Sequence, residues 1–281
     1  MVGAFFPKSL AEALAIRREN RTVPFAGGTD LMARRRSWAG TLPRFEAPAL
    51  FISGLPELRQ ISRNEGILTI GAALTLAELL QMEPVPAILK RALAEMASPA
   101  IRNLATIGGN LCNASPAGDT LPPLYALGAA VVLESASGRR ELPIGQFIRG
   151  PGQTALGPAE LLIGVKIPAG EFPAVFYQKV GTRKADALSK LSCAALARIN
   201  NGRVEEARLA LGAVAPTVIR LETAEARLTG VGTGELDRVL PEILKLYDEA
   251  IRPIDDQRSS ASYRRKVALW LIEEWISGWS K

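Results

Sequence analysis

The chain has 281 residues, 48% of them hydrophobic and 22% charged, which is a globular composition with room for two or three domains. It has no histidine and 2 cysteines. That excludes Ser-His-Asp triads, His-ligated zinc and any iron–sulfur cluster held by this chain alone, since such a cluster needs about four thiolates. The net charge is +6, but the clearest basic cluster, Arg34–Arg36 ahead of Trp38, comes with no nucleic-acid fold signature. A solvated face or an acidic partner subunit is the expected use of that charge. No run approaches the ~20 apolar residues of a membrane span. The first eight residues lack the basic and apolar regions of a signal peptide, so a cytoplasmic location is expected.

In chain order, Ser9-Leu-Ala-Glu12 reads as a capping box that opens a helix to about Asn20. Thr22 to Ala26 reads as a strand running into Gly27-Gly28, then Thr29, Asp30 and a helix-compatible Leu31-Met-Ala. A strand, a glycine turn and a helix start are a common setting for phosphate binding. Strands follow at Ala49–Ser53 and Ile67–Ala72, with a helical turn at Pro56–Gln60. Thr75-Leu-Ala-Glu78 is a second capping box, starting a helix near Glu78 that Pro84 and Pro86 break. Ile88 to Met96 is a helix with Leu89, Ala92, Leu93 and Met96 on one face.

The stretch Leu104-Ala-Thr-Ile-Gly-Gly-Asn-Leu-Cys-Asn-Ala-Ser-Pro-Ala-Gly-Asp119 is the expected centre of the molecule. Gly108 and Gly109 allow close backbone approach and positive φ, so consecutive N–H groups can form a nest for anionic oxygens. Thr106, Asn110 and Ser115 add short polar side chains, and the Asp119 carboxylate can accept from sugar hydroxyls. The pattern is that of a diphosphate-plus-sugar cradle. Cys112 reads as a small buried spacer and Cys193 as core.

Leu121–Leu127 reads as a helix, Ala130–Glu134 and Leu161–Ile167 as strands, and Pro168 to Pro173 as a domain boundary. Ala174–Val180, Leu191–Ile199 and Val204–Val214 then read as strands, the last two joined by an Asn201-Gly202 hairpin signal. Helices are expected at about 217–228, 235–250 and 260–277, the last with Val267, Trp270, Leu271 and Trp275 as its apolar stripe.

Ala26-Gly-Gly-Thr-Asp-Leu31 and Ala105 to Asp119, with Tyr177-Gln-Lys-Val-Gly-Thr-Arg-Lys-Ala-Asp186 and Asp255 to Arg265, resemble the FAD-binding medium subunit of molybdenum hydroxylases. That family includes xanthine dehydrogenases and aerobic carbon monoxide dehydrogenases. The resemblance covers nearly the whole chain in order. It implies an α+β fold: two α/β FAD-binding subdomains (about 1–55 and 56–170), then a C-terminal domain (171–281) with a three-stranded antiparallel sheet and helices.

The resemblance also implies non-covalent FAD held by Phe25, Ala26, Gly27, Gly28, Thr29, Asp30 and Leu31, and by Thr106, Ile107, Gly108, Gly109 and Asn110. Asp119 matches an acidic contact, Leu162 or Ile163 an apolar one, and Lys179 a lysine near the flavin ring. Met96 departs from an aromatic contact in relatives and is read as helix core, and the 181–186 loop is a candidate gate for the flavin face. The cysteine-bearing insertion of benzoyl-type relatives is missing. Molybdopterin and 2Fe–2S clusters are expected on large and small partner subunits, in a heterotrimer or a dimer of heterotrimers. Electrons would leave through FAD to NAD, a quinone or another acceptor, in an enzyme of xanthine dehydrogenase type. The competing readings are a self-sufficient FAD oxidase, disfavoured by the lack of histidine, and a non-catalytic nucleotide-binding module.

Overall fold

Short β-branched and apolar runs bounded by glycine and proline set the first sheets. The computed structural model describes residues 3–39, 41–184 and 186–279. These residues divide into two compact units, one of 1–84, 98–114 and 129–168, the other of 85–97, 115–128 and 169–281.

In the first unit, Ala49–Phe51 lies between Ala4–Phe5 and Val23–Phe25 in a parallel three-stranded sheet. Helix Leu10–Glu19 covers it, burying Ala13 and Leu14 in a cluster with Leu50, Leu55 and Leu58. Each fully buried leucine of this kind contributes about 1.5–3 kcal/mol relative to an exposed one. A five-stranded antiparallel sheet has the order Ile61–Asn64, Ile67–Gly71, Leu161–Pro168, Ala130–Ser135, Gly138–Pro143. Its central strand, Leu161–Pro168, is almost wholly buried, as its apolar run from Leu161 to Val165 demands, with Lys166 half-buried and paired to Glu141.

Capping matches the residues in one place and departs in another. Thr75 and Glu78 form a full reciprocal box, and helix Leu76–Gln81 therefore starts two residues earlier than expected. Ser9 accepts from the N–H of Glu12, but the Glu12 carboxylate turns back to the N–H of Lys8 at 2.7 Å, so the first box is one-sided.

In the second unit, Ala174–Val180, Leu191–Asn200 and Arg203–Gly212 form the expected antiparallel sheet. Asn201 and Gly202 both take positive φ, 49° and 71°, as a tight right-twisted hairpin requires. A fourth, two-residue strand, Ile219–Arg220, pairs with Ala210–Leu211. It replaces the start of the helix expected from Thr217, because Thr-Val-Ile suits a pleated edge and the helix begins only at Glu222.

Helices Leu236–Ala250 and Ala261–Ser277 close the sheet's apolar face with Leu240, Ile243, Tyr247, Leu271, Ile272 and Trp275. Of the expected stripe, Leu271 and Trp275 turn inward with Ala268, Ile272 and Ile276, and Val267 packs against them, whereas Trp270 is 52% exposed. Helix Ala87–Glu95 also belongs to this unit: Ile88, Leu89, Ala92 and Leu93 are buried, and Arg91 donates to the Val175 carbonyl at 2.6 Å. Residues 85–97 and 115–128 thus pack with the chain beyond the expected boundary near residue 170.

The 255–265 segment fastens the last helix. Asp255 accepts from the N–H of Ala261 at 2.6 Å. Asp256 accepts from Arg264 at 2.7 Å and from the N–H groups of Arg258 and Ser259. The Arg264 bond, with those two N–H bonds, holds the Asp256 carboxyl down at about 2. Its folded value lies below its unfolded value of about 3.9, so its stabilising contribution is present above that value. It is lost as pH falls through about 2. Asp256→Asn is expected to lower the melting temperature at pH 7 and to flatten the acid limb below about pH 4, measured by circular dichroism.

A second expectation concerns Gly27. A Cβ there would lie 1.8 Å from the Leu104 carbonyl oxygen, whereas one at Gly54 meets no atom within 4 Å. Gly27→Ala should cost about 3 kcal/mol in urea unfolding and Gly54→Ala less than about 0.5 kcal/mol. Equal midpoints for the two variants would remove the close approach as a constraint.

Candidate functional site

Strand Val23–Phe25 ends where the chain turns back on itself. Phe25 O accepts from Ile52 N at 2.9 Å, and Met32 N closes on Gly28 O at 2.8 Å. Gly28 has φ +70°, and a Cβ on it would strike the Phe25 ring at 2.4 Å. Both turn glycines are therefore required by the chain's own packing. Among the described residues, the N–H groups of Gly27, Gly28, Thr29, Asp30 and Leu31 form no backbone or side-chain bond. Five successive donors, partly exposed, suit an anionic oxygen-rich group. The short helix Leu31–Arg34 follows with no side-chain cap from Asp30, whose Oδ2 instead accepts from Asn113 Nδ2 at 2.9 Å.

The second glycine pair is built differently from the expected nest. Gly108 and Gly109 lie inside helix Ile107–Asn113, capped by Thr106, and neither has positive φ. Ala105 and Ile107, on either side of Thr106, bond across to the start of helix Leu76–Gln81, through Leu76 N to Ala105 O at 2.9 Å and Ile107 N to Leu74 O at 3.1 Å. The first-turn donors are used within the chain. Gly108 N reaches Ala72 O at 2.9 Å, Gly109 N reaches Thr106 Oγ1 at 3.1 Å, and Asn110 N reaches Thr106 O at 3.0 Å. The physical reason is that Thr106 is a strong N-cap residue, so the glycines propagate a helix rather than a left-handed turn.

The two glycines of that helix then differ. Gly108 is buried against Ala72, where a Cβ would sit 2.7 Å from that residue's own Cβ. Gly109 is exposed, and a Cβ there would meet only Thr106 Oγ1, at 2.9 Å. Gly109 thus leaves an open, side-chain-free surface beside the cap. Ile107 is buried, as is Ile163, which packs with Leu50 and Ala13. Leu162 is buried outside that cluster. Phe25, Ala26 and Thr29 are half-buried. All of these residues belong to the first unit.

Asp119 and Lys179 belong to the second unit. They form an ion pair of 2.7 Å with side-chain exposures of 7% and 6%. Asp119 Oδ1 also accepts from Ser189 Oγ at 2.5 Å, and Lys179 Nζ donates to Glu95 O at 2.9 Å. Lys179 is therefore a held cation and not a snorkelling surface lysine. Burial raises the Asp119 carboxyl, against the pull of Lys179 and Ser189. Burial also raises Glu95, with Asp119 adding to the rise and Lys179 opposing it.

Tyr177 is buried two residues before Lys179 on the same strand, and its hydroxyl has no partner among the described residues. Burial first, then Asp119 and Glu95, push that phenol well up. Sequence reasoning placed Tyr177 at the head of a family-like segment without giving it a role, and singled out neither Ser189 nor Glu95. The period of two from Tyr177 to Lys179 along a strand was the available signal for the tyrosine, and nothing local marks Ser189. Met96 ends helix Ala87–Glu95 as its C-cap residue. Of the 181–186 loop, Ala185 lies outside the described residues. Among the described residues no group of three or more His, Cys, Asp or Glu is placed to hold a metal ion.

Two known families match the chain. One, described as the FAD binding domain in molybdopterin dehydrogenase, matches residues 1–170. The other, the CO dehydrogenase flavoprotein C-terminal domain, matches residues 176–277. The xanthine dehydrogenase FAD-binding subunit of Escherichia coli O157:H7 is 31% identical over 279 residues, covering 96% of this chain and 92% of that one. The carbon monoxide dehydrogenase medium chain of Hydrogenophaga pseudoflava is 30% identical over 288 residues, covering 98% and 96%. Among solved structures, carbon monoxide dehydrogenase from Hydrogenophaga pseudoflava superposes with a TM-score of 0.87 at 28% identity, covering 97% of this chain and 95% of that one. Quinoline 2-oxidoreductase from Pseudomonas putida 86 gives 0.87 at 26% identity, covering 100% and 99%.

The thiols offer a check on the local environment. Cys112 is half-buried and not the buried spacer expected, yet desolvation pushes its thiol up to about 12, with Arg17 opposing, and burial raises the Cys193 thiol as well. The native chain is expected to show almost no thiol reaction with a disulfide reagent at pH 8, and both cysteines should react after unfolding. A fast native phase of one thiol would mean that Cys112 is open to solvent.

Proposed function

This chain belongs to the FAD-binding subunits of the molybdopterin dehydrogenases, and we propose that it is the electron-exit subunit of such an enzyme. In this reading residues 1–170 form the FAD-binding domain, with subdomains of about 1–55 and 56–170, and residues 171–281 the C-terminal domain. The chain partners a large molybdopterin subunit and a small 2Fe–2S subunit in a cytoplasmic heterotrimer or dimer of heterotrimers. Electrons arrive from the clusters of the small subunit and leave for NAD or another acceptor. The whole enzyme is of xanthine dehydrogenase type, in keeping with the likeness to the Escherichia coli subunit along nearly all of both chains.

The observation that carries this reading is the run of five N–H donors from Gly27 to Leu31 with no partner among the described residues, in a chain matched by that family over residues 1–170 and 176–277. When bound, FAD supplies two-electron chemistry that can be passed on to a soluble carrier. The chain's own part is to bind and to bias. Donors 27–31 hold the diphosphate, Gly109 leaves room beside Thr106, and Asn110 and Thr29 bond to the neighbouring sugar. Phe25, Ala26, Ile107, Gly108, Leu162 and Ile163 wall or support the cofactor. The Lys179 ammonium favours a form carrying extra negative charge. With no histidine in the chain, a histidyl flavin link is excluded, and in this reading the flavin is held non-covalently.

Reconstitution tests the proposal. The isolated chain, the chain with the small subunit and the complete set are each assayed with purines and an acceptor. The isolated chain should be yellow, absorbing near about 450 nm, and should release all its flavin on acid precipitation. It should pass electrons to a dye only when the flavin is pre-reduced. Purine oxidation should require the full set and be lost when FAD is stripped. Purine turnover by the isolated chain would instead make it a self-sufficient oxidase, and a colourless chain that never takes up FAD would make it a non-catalytic module.

A further inference from the structure

Three phenylalanines meet at one edge of the parallel sheet in the first unit. Its strands Ala4–Phe5, Ala49–Phe51 and Val23–Phe25 run the same way, so their carboxyl ends lie side by side. Phe51 and Phe25 close two of these strands, and Phe6 follows the third directly. The Phe6 ring stacks on Phe51 with centroids 4.7 Å apart and planes 9° apart. Phe25 tilts against Phe51 at the same separation and 37°. The Phe25 ring in turn lies against Gly28, where a Cβ would strike it at 2.4 Å. The ladder therefore begins at the turn that carries the unpartnered N–H groups and ends at Phe6, all within the first unit.

Phe6 is 69% exposed although one face of its ring is spent on Phe51, so the opposite face is open. Phe51 and Phe25 are half-buried. A lone surface phenylalanine needs no explanation. This one is held flat by a stacked neighbour, at the carboxyl edge of a parallel sheet, where open α/β folds bind their ligands. A ring so held is a platform for a planar group, which it attracts through its π-face without a hydrogen bond. FAD carries two ring systems on its diphosphate. One ribose joins the adenine, and a longer open ribityl chain joins the flavin. Two ring steps of 4.7 Å separate Phe6 from the ring against Gly28, so the shorter arm is the one whose reach matches.

We propose that Phe6 is the adenine platform of this chain: the donors from Gly27 to Leu31 take the diphosphate, and the adenine lies on the open face of Phe6, lengthening the ladder by one ring. The inference rests on the FAD-binding reading above and uses residues of the first unit alone. Phe51 is a positioning residue, since its ring sets the plane of Phe6. Stacking of this kind selects a flat ring rather than its hydrogen-bonding edge. ADP, which keeps the diphosphate and the adenine and lacks the flavin, is therefore a ligand of the same site.

The experiment measures the Kd of the full-length, flavin-stripped chain for FAD by flavin fluorescence, and for ADP by its displacement of bound FAD. Phe6→Ala should weaken FAD about tenfold and ADP by the same factor. Phe6→Leu keeps apolar bulk but has no π-face, and should lose as much. Phe6→Trp keeps the face and should bind as the unaltered chain does. If Phe6→Ala fails to fold by circular dichroism, Phe6→Leu carries the comparison. FAD affinities within about twofold for the unaltered chain and Phe6→Ala overturn the platform. So does full affinity in Phe6→Leu, which would make the ring plain apolar surface, or a loss confined to FAD with ADP unchanged, which would give the ring to the flavin. ADP that displaces no FAD from the unaltered chain overturns it as well. Each of these results leaves the subunit reading intact, whereas an unaltered chain that binds no FAD overturns both.

Discussion

In the first unit, everything near the first glycine turn depends on two backbones lying closer than any side chain permits. Gly27 sits against the Leu104 carbonyl, with space for a hydrogen and nothing larger. That contact brings the turn after Val23–Phe25 beside the segment that leads into helix Ile107–Asn113. The Asp30–Asn113 bond ties the same two segments a little further along. The Phe25 and Gly28 carbonyls are committed to Ile52 and Met32, while the N–H groups of Gly27 to Leu31 have no partner among the described residues. Donors left in water cost little, but they offer an anion a preformed site with little ordering left to do.

The second unit solves an opposite problem. There the chain encloses two full charges, and enclosure is expensive: each ion forfeits several kcal/mol of hydration, which a buried pair seldom recovers in full. Replacing Asp119 and Lys179 with apolar residues of similar volume would serve stability at least as well. The pair is therefore poor evidence for a stabilising role. Arg220 and Glu225 make a useful contrast. They pair at 2.8 Å, and Glu225 also accepts from the Leu209 N–H. All of their contacts are accounted for by joining helix Glu222–Leu228 to the sheet, with the third arm of Arg220 on the Tyr125 carbonyl.

Legibility from sequence followed the locality of the physics. Strands with continuous apolar runs, the Asn201-Gly202 hairpin and the Thr75 capping box depend on neighbours within a few residues, and they were readable to within a residue or two. Ile61–Asn64, a polar edge strand, was missed because Ile-Ser-Arg-Asn carries no alternation and gains its order only from Ile67–Gly71. The short helix Pro99–Arg102 was likewise hidden, resting on a Ser98 cap. Lys179 and Asp119 were singled out from resemblance, yet their pairing with each other was not legible. Sixty residues separate them, and Ser189 is seventy from Asp119. No periodicity reports contacts of that range.

The segments that resemble the family do unlike structural work in this chain. Asp255 to Arg265 looks like a site from its density of charge and hydroxyls, yet its carboxylates are spent on the N–H groups and arginines that seat the last helix. Gly108 and Gly109 are neighbours in one motif, but the first is forbidden a side chain by Ala72 and the second by nothing except its own cap. A side chain at Gly108 would damage the fold before it reached any ligand. One at Gly109 would leave the core alone and fill the open surface next to Thr106. Only the second position therefore separates binding from folding, a distinction that the pair of letters in the sequence cannot carry.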